Sequence, residues 1–120
     1  MATVQGTGKW IHKSVHKETW TPLLNGDSGS AYSAASLSDK SVQVFGTFGA
    51  GGTLIIEGSN DSGTTWATIN DTRGETTGAL SFTGADLRQI LENCEMVRPR
   101  VTAGDGTTSL TCIIVAKGQQ

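Results

Sequence analysis

Charge of either sign is scarce in this chain. Asp, Glu, Lys and Arg make up 17% of its 120 residues, and the formal net charge is -2. Domains that bind nucleic acid usually concentrate Lys and Arg on one face, whereas the nine basic residues here are scattered along the sequence. The composition therefore predicts no nucleic acid partner.

Long apolar runs are also missing. No segment approaches the roughly 20 consecutive apolar residues of a membrane-spanning helix. Residues 1–13 lack the apolar stretch of a secretory signal. We expect no membrane partner, and a protein that stays in the cytoplasm in which it is made.

Cysteine and histidine are too few to suggest metal or redox chemistry. Cys94 and Cys112 match no zinc-ligand spacing, and a cytoplasmic pair is usually reduced and buried. On a helix His12 and His16 would share a face and could hold a metal given a third ligand such as Glu18, but on a strand they lie roughly 13 Å apart. Aromatic and β-branched neighbours favour the strand, so we predict no metal and no cofactor.

Catalytic signatures do not occur either. The GxSxG nucleophile elbow is missing. Most carboxylates, Asp61 and Asp105 among them, fall in predicted turns, where acids commonly accept backbone hydrogen bonds. A Ca²⁺ site near either residue would lack the EF-hand spacing. We predict that the chain is not an enzyme.

Short alternating segments rich in glycine, threonine and serine make up most of the sequence. In SVQVFGTFGAGGTLIIEGSNDSGTTWATIND (41–71), Val42 and Val44 alternate with polar residues, which is typical of a half-buried strand. Further apolar runs follow at 54–56 and 66–69. The pattern predicts three short strands joined by turns.

The N-terminal segment differs from this block. Residues 1–20 look extended and carry large groups on both faces of the predicted strand. Such a strand is expected to pack against something besides its own sheet. We predict an extended N-terminal arm over 1–20 and a single domain over 21–120, since 120 residues is the usual length of one domain.

One segment has the spacing of a helix. Leu87, Ile90 and Leu91 recur at intervals of three and four residues. Thr83 stands where an N-cap residue would precede them. The spacing predicts one short helix near 84–93.

Two apolar segments near the C-terminus flank a turn signal. Residues 96–103 and 107–116 lie on either side of Gly104-Asp105-Gly106, and Asp-Gly strongly favours a hairpin. The second segment is apolar on both faces, which is expected in the middle of a sheet or at an interface. The whole pattern predicts an all-β fold, an antiparallel β-sandwich with jelly-roll connectivity as one option.

Two turns are predicted to have structural roles. The segment SNDSGTTW (59–66) matches the S-x-D-x-G-x-T-W pattern of the Asp box. Asp61 is expected to accept backbone N–H groups, Gly63 to adopt a positive φ, and Trp66 to fasten the turn to the core. Asp105 and Gly106 are the structural residues of the second turn.

Aromatic and arginine side chains supply candidate contact residues, since both types are enriched at protein interfaces. The two arginines flank Pro99, and proline in a strand suggests an edge or a bulge. They would either bind carboxylates of a partner or form a solvated edge whose charges prevent aggregation. The predicted contact residues are Trp10, His12, Trp20, Arg98 and Arg100.

Two segments together resemble small structural proteins of tailed bacteriophages. They are DKSVQVFGTFGAGGTLIIEGSNDSGTTWATIND (39–71) and MVRPRVTAGDGTTSLTCIIVAKG (96–118). The resemblance is to proteins of the capsid decoration, or cement, type, and it covers about residues 18–118. Residues 1–17 resemble nothing specific.

The resemblance implies a β-sandwich or jelly roll that binds the outer surface of the capsid lattice and stabilises contacts between capsomers. The implied partners are the major capsid protein and further copies of the chain, as a dimer or trimer. The implied location is the capsid surface of the virion, after synthesis in the host cytoplasm. The alternative is a carbohydrate-binding or receptor-binding module of the virion, with Trp10, Trp20 or Trp66 as the stacking platform.

Overall fold

The computed structural model describes residues 1–33, 36–72 and 78–118, and within them the chain forms twelve strands and no helix. Accordingly, no helix long and apolar enough to cross a membrane occurs in these residues. The strands are β1 (Thr3–Val4), β2 (Thr7–His12), β3 (Val15–Leu23), β4 (Ser28–Gly29), β5 (Tyr32–Ser33), β6 (Asp39–Thr47), β7 (Thr53–Ser59), β8 (Ala67–Thr68), β9 (Ser81–Phe82), β10 (Asp86–Ile90), β11 (Met96–Ala103) and β12 (Ser109–Lys117).

The strands lie in two sheets, which we call sheet I and sheet II. Sheet I has the order β1-β4-β11-β7-β8, with β5 also on β11 and β9 also on β7. Sheet II has the order β10-β6-β12-β3-β2. Every pairing except β1 with β4 is antiparallel. The predicted antiparallel β-sandwich is confirmed, and the chain changes sheet at most connections, as in a jelly roll.

The core lies between the two sheets. Val42 and Val44 of β6 have no exposed area, as their alternation predicts, and neither do Leu54 and Ile56 of β7. These side chains belong to one cluster of buried apolar residues. Burial of this apolar surface is the main contribution to the stability of the sandwich.

Both cysteines are part of that core. Cys94 and Cys112 are buried and free, as the sequence predicts. Burial raises the pKa of both thiols. They therefore pack as small apolar groups.

The predicted helix near 84–93 is wrong. Residues Asp86–Ile90 form β10, which pairs antiparallel with β6 at the edge of sheet II. Ile90 is buried, whereas Leu87 and Leu91 are more than half exposed, so the helical spacing does not define one buried face. Because β6 has an unpaired side that a strand can complete, pairing decides the conformation of this segment.

The predicted hairpin of 96–103 with 107–116 is also wrong, although both strands exist. β11 pairs with β7 in sheet I, whereas β12 lies between β3 and β6 in sheet II. The turn at Gly104-Asp105-Gly106 therefore carries the chain across the sandwich. The apolar residues on both faces of β12 agree with its central position in sheet II.

Residues 1–20 are extended, and their strands belong to the sandwich. β1 pairs with β4, and β2 forms a hairpin with β3. β3 pairs with β12 along Val15–Leu23. The pairing of β3 thus continues across the boundary predicted at residue 20.

Candidate interaction surfaces

Two arginines and a buried glutamate meet on the outer face of sheet I. Arg98 and Arg100 are two positions apart on β11, so their side chains point to the same face. Glu57 lies opposite Arg98 on the neighbouring β7. The Nε atom of each arginine donates a hydrogen bond to Oε1 of Glu57, both at 3.1 Å. We call Glu57, Arg98, Arg100 and the adjacent Trp66 the arginine platform.

The arginine platform carries more positive than negative groups. Two guanidinium groups share one carboxylate, whose side chain is only 6% exposed. The side chains of Arg98 and Arg100 are 25% and 40% exposed. Their Nη atoms make no hydrogen bond to any residue that the structure describes. These N–H groups can therefore bind a further acceptor.

Pro99 lies between the two arginines in an interior strand. On one side β11 pairs with β7, and on the other side its partner changes from β5, at Val97, to β4, at Arg100. Pro99 falls where that change leaves it without a partner on one side, a place in which proline is tolerated. Because β11 is not an edge strand, the alternative in which the arginines protect a sheet edge is excluded.

Trp66 borders the platform. The guanidinium carbon of Arg98 lies 4.2 Å from the centroid of the Trp66 ring, in a cation–π contact. The indole Nε1 donates to the carbonyl oxygen of Gly63 at 3.0 Å. Trp66 is half-buried and lies outside the core cluster, which differs from the predicted packing on the core. Its ring links the turn to the arginines.

Asp61 holds the turn that positions Trp66. The Thr65 N–H and the Ser59 hydroxyl both donate to Asp61 Oδ1, at 2.8 Å. These bonds, the Thr65 N–H first, lower the pKa of Asp61. Gly63 has a φ of 87°, which favours glycine. The bonds of Asp61 are local to this turn between β7 and β8, while Asn60 and Ser62 of the same turn bind Glu95, just before β11.

Trp10 and His12 lie on a second surface, the edge strand β2 of sheet II. Every residue of β2 is exposed, and Trp10 is 59% exposed. The Trp10 ring meets His16 edge-on, with 4.9 Å between centroids. β2 therefore offers an unpaired backbone edge beside an exposed tryptophan.

The inner side of this edge contains a titratable cluster. His16 Nδ1 lies 2.8 Å from the Tyr32 hydroxyl and 3.9 Å from Glu18 Oε1. Burial raises the pKa of Glu18, and burial together with the charge of Glu18 raises the pKa of Tyr32 to about 12. A Cβ at Gly8 would lie 2.7 Å from Glu18 Oε1, so glycine lets β2 cover the cluster. Within the described ranges, no three His, Cys, Asp or Glu side chains are placed to hold a metal ion.

Trp20 is a core residue, which corrects its prediction as a contact residue. Its side chain has no exposed area, because it lies on the inner face of β3. The indole Nε1 donates to the Ser30 carbonyl oxygen at 3.1 Å, across the sandwich. Its ring is therefore not available to a partner protein or a sugar at the surface.

A third surface is the outer face of sheet II. Ile113 and Val115 of β12 are half-buried there, and Phe45 and Leu87 on the neighbouring strands are exposed. A hollow of about 340 Å³ lies beside Leu87 and Val115. These four side chains form an apolar patch on a face that also carries polar residues such as Ser41 and Gln43.

Asp105 organises the turn between β11 and β12. Its carboxylate accepts from the hydroxyl and N–H of Thr107 at 2.6 and 2.8 Å, and from the N–H of Ala50 at 2.9 Å. These bonds, with the Thr107 hydroxyl first, lower the pKa of Asp105 to about 2. A Cβ added at Gly106 would have no atom within 4 Å, and the backbone φ there is not positive. The turn therefore does not require glycine at that position, which differs from the predicted structural role of Gly106.

Glu57 is the residue of the arginine platform that the sequence analysis missed. It is one acid within the apolar run LIIEGS of β7. An acid in such a run is buried only with a partner. A single acid in an apolar strand, in a chain that also has two arginines on one strand face, could have predicted that Glu57 is their partner.

Comparison with known proteins gives information on the fold. No family model and no curated protein matches the sequence. The SPBc2 prophage-derived protein YomS superposes with a TM-score of 0.64 at 10% identity, over 90% of this chain and 98% of that chain. A cupin domain from Bordetella pertussis Tohama I has a TM-score of 0.49 at 11% identity, over 99% and 96% of the two chains. A sugar phosphate isomerase from a cupin superfamily, from Silicibacter pomeroyi, has a TM-score of 0.47 at 12% identity, over 91% and 54%.

The two cupin scores are too low to support an argument about this chain. The match to YomS covers nearly all of both chains, but its 10% identity relates the folds and not the activities. The chain therefore shares the β-sandwich fold of a prophage-derived protein.

Proposed function

We propose that this chain is a structural protein of a tailed-phage virion, of the capsid decoration type. The observation that carries the proposal is the fold shared with a prophage-derived protein over 98% of that protein's length. The resemblance of 39–71 and 96–118 to phage decoration proteins supports it. In this role the chain binds the major capsid protein on the outer surface of the lattice and stabilises contacts between capsomers.

The exposed surfaces of the sandwich support a role in adhesion. The arginine platform, the edge strand β2 and the apolar patch on the outer face of sheet II carry residue types that are enriched at interfaces. In the proposal the chain acts at the capsid surface as a dimer or trimer, after synthesis in the host cytoplasm. It needs no cofactor and has no catalytic role.

Capsid stability tests the proposal directly. Undecorated capsids of a phage that encodes the protein are mixed with increasing amounts of the purified chain, and their rupture temperature is measured. A saturable increase is expected, because a bound bridge between capsomers must break before the shell opens. Heat-unfolded chain at the same concentration is the control, and an unchanged rupture temperature at saturation would contradict the proposal.

A carbohydrate-binding module of the virion is the second candidate, because of the exposure of Trp10. Its ring is 59% exposed, whereas Arg98 covers the ring of Trp66 and Trp20 is buried. Trp10 is thus the best placed of the three tryptophans to stack on a sugar. Glycan-array binding that the Trp10→Ala variant abolishes would favour this candidate, and an array without signal would remove it.

A further inference from the structure

We infer that the arginine platform binds a carboxylate, carried by an aspartate or glutamate side chain of a partner protein. Arg98 and Arg100 each use only Nε to bind Glu57, at 3.1 Å. The Nη atoms, which form the outer part of each guanidinium fork, have no acceptor among the described residues. Arginine forks match the two oxygens of a carboxylate in a bidentate geometry.

The platform is prearranged for this ligand. Glu57 is anchored on the interior strand β7 and is 6% exposed, so it holds both guanidinium groups from below. The Trp66 ring, 4.2 Å from the guanidinium carbon, holds Arg98 from the side. Less side-chain entropy is therefore lost when a ligand binds than for two free surface arginines.

The charge of the platform selects one type of anion. Two guanidinium cations against one carboxylate leave one positive charge, which one further carboxylate neutralises. A phosphate, with about -1.5 to -2 charges at neutral pH, would leave an excess of negative charge beside buried Glu57. We therefore assign a carboxylate and not a phosphate.

The form of the surface points to a side chain of a macromolecule. A hollow of about 410 Å³ on the outer face of sheet I is lined by Glu57 and both arginines, and also by Met1, Gly26, Ser28, Val101 and Thr102. It lies on an open sheet face, which a partner surface can approach. The inference goes beyond the proposed function, since any partner that presents an acidic side chain would fit.

Arg88 provides a matched control within the same chain. Its guanidinium lies 2.9 Å from Asp86 and 3.7 Å from Asp71, so Arg88 already has two carboxylate partners. It also contacts an aromatic ring, with 4.8 Å to the centroid of Phe82. Arg88 therefore resembles Arg98 in its aromatic contact, but it contacts two carboxylates of its own chain, whereas Arg98 shares one with Arg100.

Titration of the ¹⁵N-labelled full chain, followed at the arginine Nε–H signals by NMR, tests the inference. The probe is a peptide of alternating glycine and glutamate, and the control is the same peptide with glutamine. We expect saturable shifts of the Arg98 and Arg100 signals with the glutamate peptide only, and no shift of Arg88. Equal shifts of all three signals, or none for Arg98 and Arg100, would overturn the inference.

Two variants separate the fork geometry from simple charge. Arg100→Lys keeps the charge and should weaken peptide binding about tenfold, because an ammonium group cannot bind a carboxylate in the same bidentate way. Arg88→Lys should leave the affinity unchanged. Full affinity in Arg100→Lys would contradict the assigned geometry.

Inorganic phosphate, titrated in the same way, tests the assigned anion. Wild type should prefer the glutamate peptide, whereas Glu57→Gln, which leaves two positive charges, should shift the preference towards phosphate. A wild-type platform that binds phosphate more tightly than the peptide would overturn the carboxylate assignment. These titrations need no capsid. The inference can therefore fail while the capsid experiment succeeds, and it can succeed while the capsid experiment fails.

Discussion

The turns that Asp61 and Asp105 organise are similar in chemistry and different in what they connect. In each, an aspartate oxygen accepts a backbone N–H a few residues ahead, from Thr65 or Thr107, at 2.8 Å. In each, hydrogen bonds lower the pKa of the aspartate. The Asp61 turn joins β7 to β8 within sheet I, whereas the Asp105 turn joins β11 of sheet I to β12 of sheet II.

The Asp105 turn also binds a second turn, which is distant in sequence. Ala50, 55 residues away, donates its N–H to Asp105 Oδ2 at 2.9 Å. Thr108 donates its hydroxyl to the Phe48 carbonyl oxygen at 2.8 Å. The segment 48–52 carries the chain from β6 in sheet II to β7 in sheet I. Two sheet-changing turns are thus fastened to each other, and we call them the paired corner.

An aspartate in a predicted turn can therefore bind only residues of that turn, as Asp61 does, or also a residue far away in the sequence, as Asp105 does. Among the described residues, the partners of the Asp61 carboxylate lie within residues 59–65, and the hydrogen bonds of the turn reach further only through Asn60 and Ser62, which bind Glu95. Loss of Asp61 would directly remove hydrogen bonds within one hairpin, whereas loss of Asp105 would also remove the bond between two connections that cross between the sheets.

Gly52→Ala should have the largest effect, because it disrupts the paired corner sterically. A Cβ at Gly52 would overlap the Phe48 carbonyl oxygen and lie 3.0 Å from the Phe48 Cα. Since a backbone cannot move aside as a side chain can, we expect the free energy of unfolding to fall by about 3 kcal/mol or more. Urea denaturation followed by circular dichroism measures it.

The matched change in the other turn is Gly63→Ala. Its φ of 87° is unfavourable for alanine, but the nearest atom to a Cβ would be Trp66 Cζ2 at 3.4 Å, so a loss of about 1 kcal/mol is expected. Gly84→Ala, where a Cβ meets nothing within 4 Å, is the neutral control. The comparison fails if Gly52→Ala costs no more than Gly63→Ala.

Removal of either aspartate should destabilise the fold less than Gly52→Ala, and removal of Asp105 should have a larger effect than removal of Asp61. Asp105→Ala deprives the N–H groups of Ala50 and Thr107 of their acceptor, and we expect the melting temperature to fall by several degrees. Asp61→Ala releases Thr65 and the Ser59 hydroxyl within one hairpin, and a smaller decrease is expected. Differential scanning calorimetry at neutral pH compares them, and an equal decrease would mean that the link to Ala50 adds no stability.

The sequence predicted the strands of the sandwich better than their pairing. Val42 and Val44 show the buried face of β6 because alternation is a local property. The sheet that a strand joins depends on contacts between distant residues, which no local pattern contains. Asp-Gly at 105–106 favours a tight turn, and a tight turn serves a hairpin and a crossing equally well.

The sequence also predicted the local part of the candidate site and missed the part that depends on strand pairing. Arg98 and Arg100 share a face because they are two positions apart in a strand, and that could be read directly. Their partner Glu57 depends on the register between β11 and β7. The burial of Trp20 depends on which face of β3 turns inward. Each of these facts follows from tertiary pairing.

The smallest expected difference between the two turns is in how their contribution to stability depends on pH. Asp105 has an ordinary pKa of 3.8, and hydrogen bonds lower the pKa to about 2 in the folded chain. A carboxyl group with a lowered folded pKa stabilises the fold above its unfolded pKa, and that contribution disappears as pH falls through the folded pKa. The stabilisation by ionised Asp105 is therefore complete above 3.8 and lost as pH falls towards 2.

Asp105→Asn, melted at a series of pH values, measures this contribution. Its deficit in melting temperature relative to wild type should be constant above about pH 5 and should shrink between 3.8 and about 2. Asp61→Asn should behave in the same direction, since its pKa is also lowered, but with a smaller deficit because its bonds remain within one hairpin. If the deficit for Asp105→Asn instead stays constant down to pH 2, the negative charge of Asp105 contributes no stability. The variant would then be destabilised only because the amide cannot make the same hydrogen bonds, and the paired corner would depend on the geometry of the turn and not on its charge.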